Sequence, residues 1–251
     1  KNLDKVDWEC LSSNPNAIHI LEKNLDKVDW ECLSSNPNAI HILEKNLDKV
    51  DWDMLSQNPN SIHILETNLD KVDWCNLSQN LNAINMLEKN LDKVDWYFLS
   101  ENPNAISILE KNLDKMDLEF MFSDCWYKLS SNPNAIHILE KNFDKINWNG
   151  LSTNPNAIPI LEKNLDKVDW WGVAHNPNAI NILEKNLENN WNKICWENLC
   201  NNPNAISILE KNLEKWDKRG LYDKSRCEWL SSNPNIFTYD YESMKNSMYK
   251  E

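Results

Sequence analysis

Two patterns of apolar and polar positions alternate along this chain. In the first, Ala39-Ile40-His41-Ile42-Leu43-Glu44-Lys45-Asn46-Leu47 puts apolar side chains at 39, 40, 42, 43 and 47. That is the broad stripe of a short, deeply packed helix. In the second, Val28-Asp29-Trp30-Glu31-Cys32-Leu33-Ser34-Ser35, Asp29 is placed to cap a helix, and Val28 and Leu33 take the two positions of a hydrophobic staple. These predict an Ile helix and a Trp helix, the latter short and partly 3₁₀ in character. Neither is long enough to be stable alone. Both are therefore expected to be held by Trp30, Leu33, Ile40, Leu43 and Leu47 packing on the same residues one copy away. On this reading the thirteen tryptophans are mainly core. Burying a Leu or an aromatic contributes roughly 1.5–3 kcal/mol. Trp74→Ala or Leu77→Ala is thus expected to cost several kcal/mol locally, visible as a shifted thermal melt.

The two patterns are joined by Asn-Pro-Asn, whose first Asn falls at 14, 36, 58, 80, 102, 132, 154, 176, 202 and 233. The intervals are 22, 22, 22, 22, 30, 22, 22, 26 and 31, and residues 1–22 are identical to 23–44. A fixed period of this kind marks a stack of copies, which grows along one axis with no set domain size. About ten copies fill residues 1–235. Residues 236–251, beginning Ile236-Phe237-Thr238-Tyr239, depart from the pattern as a C-terminal cap or tail. The chain opens mid-copy on Lys1-Asn2-Leu3, so it is expected to be a piece of a longer array.

Pro159 bears on where the Ile helix starts. It would break a main-chain bond if Asn154 were the cap, but falls in the first turn if Asn156 is, so the second Asn of the motif is the expected cap. Asn46, at the other end, suits a left-handed terminal residue. A competing reading takes Val28-Asp29-Trp30 as a strand in a leucine-rich-repeat-like α/β solenoid, whose period spans this length. Against it, only three residues would be extended, and Leu33 sits where such repeats place a ladder Asn.

Charge narrows the partners. Lys plus Arg number 26 against 39 Asp plus Glu, a formal net charge of −13. An acidic surface disfavours a phosphate backbone, so nucleic acid is not an expected partner. Seven cysteines at 10, 32, 75, 125, 195, 200 and 227 form no Cys-x-x-Cys pair and no disulfide framework. Free thiols, with no signal peptide and no long apolar run, point to a reducing compartment and away from secretion or a membrane. His19, His41 and His63 recur at one position, but stacked copies stand about 10 Å apart. Ligands must converge to roughly 2 Å from one ion, so no metal is expected. No phosphate loop, nucleophile elbow or zinc motif is present, and the carboxylates Glu44, Asp48 and Asp51 recur in copy after copy instead of marking one site. Neither an enzyme, nor a cofactor, nor a small-molecule substrate is expected.

The run Leu33 to Trp52, Leu-Ser-x-Asn-Pro-Asn-Ala-Ile-x-Ile-Leu-Glu-Lys-Asn-Leu-Asp-Lys-Val-Asp-Trp, resembles the tandem repeats of proteins encoded by large DNA viruses of protists, the giant viruses, over almost the whole chain. More distantly, Asn-Pro-Asn before a Leu-bearing helix resembles the leucine-rich repeat variant proteins, in which an α-helix alternates with a 3₁₀-helix along a right-handed superhelix. The resemblances imply a viral origin, in host cytoplasm or virion, and an all-α, right-handed solenoid. The expected function is a non-enzymatic scaffold for protein–protein interaction, directed at a host or virion protein. The alternative is a structural component of a virus particle or other large assembly. Any binding face should lie where copies differ: the two positions after Trp, the position after Ile, and three insertions at 116–125, 188–192 and 216–227. The candidates are Tyr97, Phe98, Tyr127 and Trp171 after or beside the tryptophans, and Phe120, Phe122 and Tyr222 in the insertions.

Overall fold

The structure, a computed structural model, describes residues 5–118, 122–218 and 233, and the side-chain surroundings of 5–116, 124–212 and 233. The C-terminal segment 236–251 lies outside them. The described residues form helices and turns without a strand, so the leucine-rich-repeat-like alternative does not hold. Val28 and Asp29 lead into a helix because the Asp29 carboxylate accepts the Cys32 N–H at 2.8 Å and so satisfies an orphan donor of the first turn.

The chain forms two compact units, residues 1–128 and 129–251. In the first, the Trp helices Trp8–Ser13, Trp30–Ser35, Trp52–Gln57, Trp74–Gln79 and Trp96–Glu101 each pack on the next. The Ile helices Ile18–Leu21, Ile40–Leu43, Ile62–Glu66, Ile84–Glu88 and Ile106–Lys111 alternate with them along the chain. In the second, Trp148–Thr153, Trp170–His175 and Trp196–Asn201 pack in the same succession, alternating with Ile136–Lys141, Ile158–Lys163, Ile180–Asn190 and Ile206–Lys218. Each unit is thus a solenoid-like stack of short helices. The Trp helices are α-helical throughout, not 3₁₀.

The core is narrower than the apolar pattern implies. Leu33, Ala39, Ile42, Leu43 and Val50 are buried, while Ile40 and Leu47 are half-buried. The Ile helix stops after one turn, and the next turn, closed by Lys49 N–H to Asn46 O at 2.9 Å, carries Leu47 outward. At the same place Leu69, Leu91 and Leu165 are exposed. Trp30, Trp52 and Trp74 are also only half-buried. A lysine of the following turn covers each ring: Lys49 over Trp30 at 5.1 Å, Lys71 over Trp52 at 4.7 Å and Lys93 over Trp74 at 5.0 Å. These tryptophans are shielded by cations at the stack's edge, each contact adding about 0.5–1 kcal/mol. Trp96, Trp126, Trp170 and Trp191 are buried.

Polar side chains are what join one copy to the next. Asn58, 1% exposed, donates from Nδ2 to Ser34 O at 2.9 Å and Asn36 O at 3.0 Å in the preceding copy. Asn80, Asn102, Asn154 and Asn176 repeat both bonds within their units. The Asn58 carboxamide oxygen meanwhile accepts the Asn60 N–H at 3.0 Å, which holds the Pro59 turn. The second Asn therefore does not cap the Ile helix, contrary to the sequence expectation. Asn60 Nδ2 instead reaches back to Pro37 O at 2.9 Å, and the residue before Ile, such as Ala39, occupies the cap position with no side-chain bond. Pro159 falls at the second helical position, still within the turn that needs no donor. At the C-terminal end Asn112, Asn142 and Asn164 have φ of −134°, −126° and −135°, so the left-handed expectation also fails. These Asn side chains close the helix by donating to the carbonyl four residues back, as Asn112 does to Ile108 O at 2.8 Å.

A third recurring bond fixes spacing. Ser34 Oγ accepts the Asp51 N–H at 3.0 Å from the following copy and donates to Trp30 O at 2.7 Å. The two partners stand seventeen positions apart in sequence. Where the second insertion lengthens that interval, Ala174 stands in place of Ser and Cys195 in place of Asp, and Cys195 makes no cap bond. The inserted residues lengthen the Ile helix to Ile180–Asn190 and bury Trp191 against Trp196, ring centroids 4.3 Å apart. The first insertion adds Leu113–Leu118, lengthens the next Trp helix to Phe122–Ser131, and buries Met116, Cys125 and Trp126. As far as they are described, these insertions extend helices and core instead of forming surface loops. Trp216–Lys218 of the third insertion continue the Ile helix, and its remainder lies outside the described residues.

Candidate interaction face

Each Trp helix presents its variable residues in a set order. In all of them but Phe122–Ser131, Trp is the first helical residue after the cap, which is Asp except for Asn147 and Cys195, and the two positions that differ between copies come second and third. Their environments are unlike. The second position points outward: Glu9, Glu31, Asp53 and Cys75 are exposed, as are Asn149 and Trp171. The third lies towards the adjacent copy: Cys32, Met54, Asn76 and Phe98 are half-buried, and Gly150 and Gly172 are buried. A Cβ at Gly172 would stand 2.8 Å from Ser152 Cβ and 3.2 Å from Asn149 O, so copies there approach too closely for any side chain. Variation at the third position is thus tied to spacing between copies, and the freely exposed variation belongs to the second.

Within residues 1–128 the outward residues change character along the stack. Glu9, Glu31 and Asp53 give way to Cys75 and then to Tyr97, which is half-buried. Tyr97 meets Phe98 edge to face, centroids 5.1 Å apart at 71°. The Lys128 ammonium lies 5.4 Å from the Tyr97 ring and 2.5 Å from the Glu101 carboxylate. Burial opposes its charge, but the Glu101 hydrogen bond and charge outweigh that and raise its pKa. Beside these residues Gln79, Leu81, Phe98, Glu101, Asn102 and Pro103 line an open cleft of about 180 Å³. Leu81 stands where the other copies have Pro and is 49% exposed.

Of the residues expected to form a face, Tyr97 and Phe98 are therefore brought together, and Tyr127, half-buried, precedes Lys128. Trp171, 53% exposed, belongs to the second unit, where Asn198 Nδ2 donates to its carbonyl at 3.2 Å. Phe120 and Tyr222 lie outside the described residues, and Phe122 begins a helix but its side-chain surroundings lie outside them too. Leu81, Gln79, Glu101 and Lys128 were not among the expected residues. The signal for Leu81 was present, since it is the one break in the Asn-Pro-Asn series.

The chemistry of the remaining groups is subdued. His41 and His63 do not face one another; each Nε2 pairs with a carboxylate of the preceding copy, Glu22 at 2.6 Å and Glu44 at 2.5 Å. Among the described residues no three His, Cys, Asp or Glu side chains stand together in a way that could hold a metal ion. The Cys32 thiol is pushed up to about 11 by burial and by the Asp29 charge, and Cys75 to about 11 by burial and by its hydrogen bond to Asp95. A pKa raised this far leaves little thiolate at neutral pH. No helix among the described residues is long and apolar enough to cross a membrane. Comparison with protein-family models, with curated proteins and with solved structures finds no match to this chain.

Proposed function

We propose that the protein is a non-enzymatic scaffold that binds other proteins through the outward face of its Trp helices. The observation that carries this reading is the split within each copy. Side chains that bond to a neighbour's main chain recur, while the position after Trp runs through exposed Glu, Asp, Cys, Asn and Trp and a half-buried Tyr. A constant frame with an exposed variable edge suits recognition of a protein surface, where aromatic residues dominate binding energy. On the same reading the stack winds as a right-handed superhelix, the gene is that of a large DNA virus, and the protein works in host cytoplasm or virion, where thiols stay reduced.

The test is affinity purification of the tagged chain from infected cells beside a variant carrying Tyr97→Glu, Phe98→Cys and Trp171→Glu, each a residue found at that position in another copy. A partner held by the native chain and lost from the variant, at an unchanged melting temperature, supports the scaffold. The absence of any protein held by the native chain, together with abundance in purified particles that the variant shares, would replace it with a structural role in the particle.

A further inference from the structure

Resting on the scaffold reading above, we propose that residues 1–128 carry a docking strip for a basic, amphipathic segment of a partner protein. An apolar side chain of that segment seats among Leu81, Phe98 and Pro103, and its cations run over the carboxylates of the preceding Trp helices. Three observations support it. First, Leu81 has no task in the frame that Pro does not perform. Its carbonyl accepts Asn104 Nδ2 at 3.0 Å, as Pro37 O accepts Asn60 Nδ2 at 2.9 Å, so its exposed side chain is surplus to the stack. Phe98 likewise stands where the preceding copy has Asn76. Apolar side chains from two neighbouring copies thus meet at the same cleft.

Second, the cleft's size selects the occupant. At about 180 Å³ it falls below the roughly 300–1,000 Å³ of small-molecule pockets, and an open groove of this volume suits one side chain of a longer ligand. Third, the charge has one sign. From Asp7–Ser13 through Asp95–Glu101, the five Trp helices and their caps contain Asp7, Glu9, Asp29, Glu31, Asp51, Asp53, Asp73, Asp95 and Glu101, with no Lys, Arg or His. Lys128 pairs with Glu101 at the cleft end, and Lys27, Lys49, Lys71 and Lys93 are held over the Trp rings one position earlier in each helix, so the carboxylates left for a ligand are those of the preceding helices. Glu9, Glu31 and Asp53 are exposed at the outward position. A segment bearing Lys or Arg is steered to such a surface, and an acidic one is repelled. With helices packed at about 8–10 Å, the three steps from Glu31 to Phe98 span roughly 24–30 Å, the length of eight or nine extended residues.

The probe is a fluorescein-labelled peptide of about twelve residues, with Lys at alternate places in one half and Leu at two places in the other, titrated by anisotropy against the full chain. Companion peptides replace Lys by Glu or Leu by Ser. The double variant Leu81→Pro and Phe98→Asn installs what other copies carry, so it keeps the frame; Glu31→Lys with Asp53→Lys inverts the strip. We expect about tenfold weaker binding for each variant, with the salt dependence kept by the first and lost by the second. Equal binding by Leu81→Pro/Phe98→Asn, or no preference for the basic over the acidic peptide, overturns the strip. A partner from infected cells that is lost with Trp171→Glu and kept with Leu81→Pro/Phe98→Asn also overturns it while leaving the scaffold reading intact. No partner for the native chain overturns the scaffold reading itself.

Discussion

Glu31 and Ser34 lie one turn apart on the same helix and obey opposite rules. Ser34 is fully buried, accepts the next copy's Asp51 N–H and donates to Trp30 O. Glu31 is exposed and changes identity in other copies. The difference lies in what each side chain addresses. Ser34 and the Asn ladder bond to main-chain groups, which every residue supplies whatever its side chain. A frame built this way places no demand on the identity of the residues at its outer edge, and those are free to diverge without loosening the stack. An array joined through side-chain pairs would need both partners to change together.

The largest effect should come from cutting the ladder. Asn58→Leu removes two donors and one acceptor at a buried site, leaving Ser34 O and Asn60 N–H without these partners and Asn36 O with only the Ala39 N–H. At about 1–3 kcal/mol for each buried group left unsatisfied, the loss should reach roughly 3–5 kcal/mol. Asp53→Ser, one turn from the inner edge, should stay within about 0.5 kcal/mol. Urea denaturation of the two variants measures the gap, and equal midpoints would break the contrast between inner and outer edges. Second in size is Gly172→Ala, whose new Cβ meets Ser152 Cβ at 2.8 Å. Overpacking of this kind costs about 1–3 kcal/mol. The same measurement on Met54→Ala, where the copies leave room for a long side chain, should show the smaller loss.

The period, the helix pair, the Asp cap and the buried Leu33 and Leu43 could all be read from residue pattern, because each is written in the spacing of residue types along the chain. What could not be read lies between copies. Asn36 and Asn38 look like local turn and cap residues, and locally Asn36 is one, since its oxygen accepts the Asn38 N–H at 3.1 Å. Their amide groups reach a neighbour some 22–24 residues away, as Asn36 Nδ2 does to Ser12 O and Asn38 Nδ2 to Pro15 O. A clue was nonetheless present: both asparagines persist at Asn80 and Asn82 where the intervening Pro has become Leu81. A residue needed only to flank a proline would have no reason to stay. Leu47 misled for the converse reason. It completes an apolar stripe, but Asn46 ends the helix through its own side chain, with Nδ2 donating to Ile42 O at 2.8 Å, before the stripe can be used. At the candidate face, aromatic character picked out Tyr97 and Phe98, whereas Leu81 and Lys128 come from other stretches of chain and join them only through packing.

A third prediction concerns the helix cap. Cys195 lacks the side-chain oxygen that caps helices such as Trp52–Gln57, so Cys195→Asp should stabilise its helix by about 1 kcal/mol, while Asp51→Ala should lose about the same. Hydrogen exchange at the amides of Leu199 and Leu55 separates the two local effects. A Cys195→Asp variant no more protected than the native chain would mean that the long second insertion displaces the cap as well as replacing it.

The smallest effect belongs to the outer edge. Cys75 is exposed as a residue, yet its thiol donates to Asp95 Oδ2 at 3.3 Å and its pKa is pushed up to about 11 from 9.0. The folded chain therefore holds this proton more tightly than the unfolded chain does. Below about pH 9 both states carry the neutral thiol and the group adds no pH dependence. Between about 9 and 11 the unfolded chain releases the proton first, so stability must fall as pH rises through that window. Cys75→Ser should remove part of that decline and leave stability at pH 7 nearly unchanged. Alkylation by iodoacetamide at pH 8 should be on the order of tenfold slower at Cys75 than at a free cysteine, because fewer thiolates are present. A rate equal to that of free cysteine would show that the Asp95 contact opens in solution, and the outer edge would then be looser than its bonds to neighbouring copies imply.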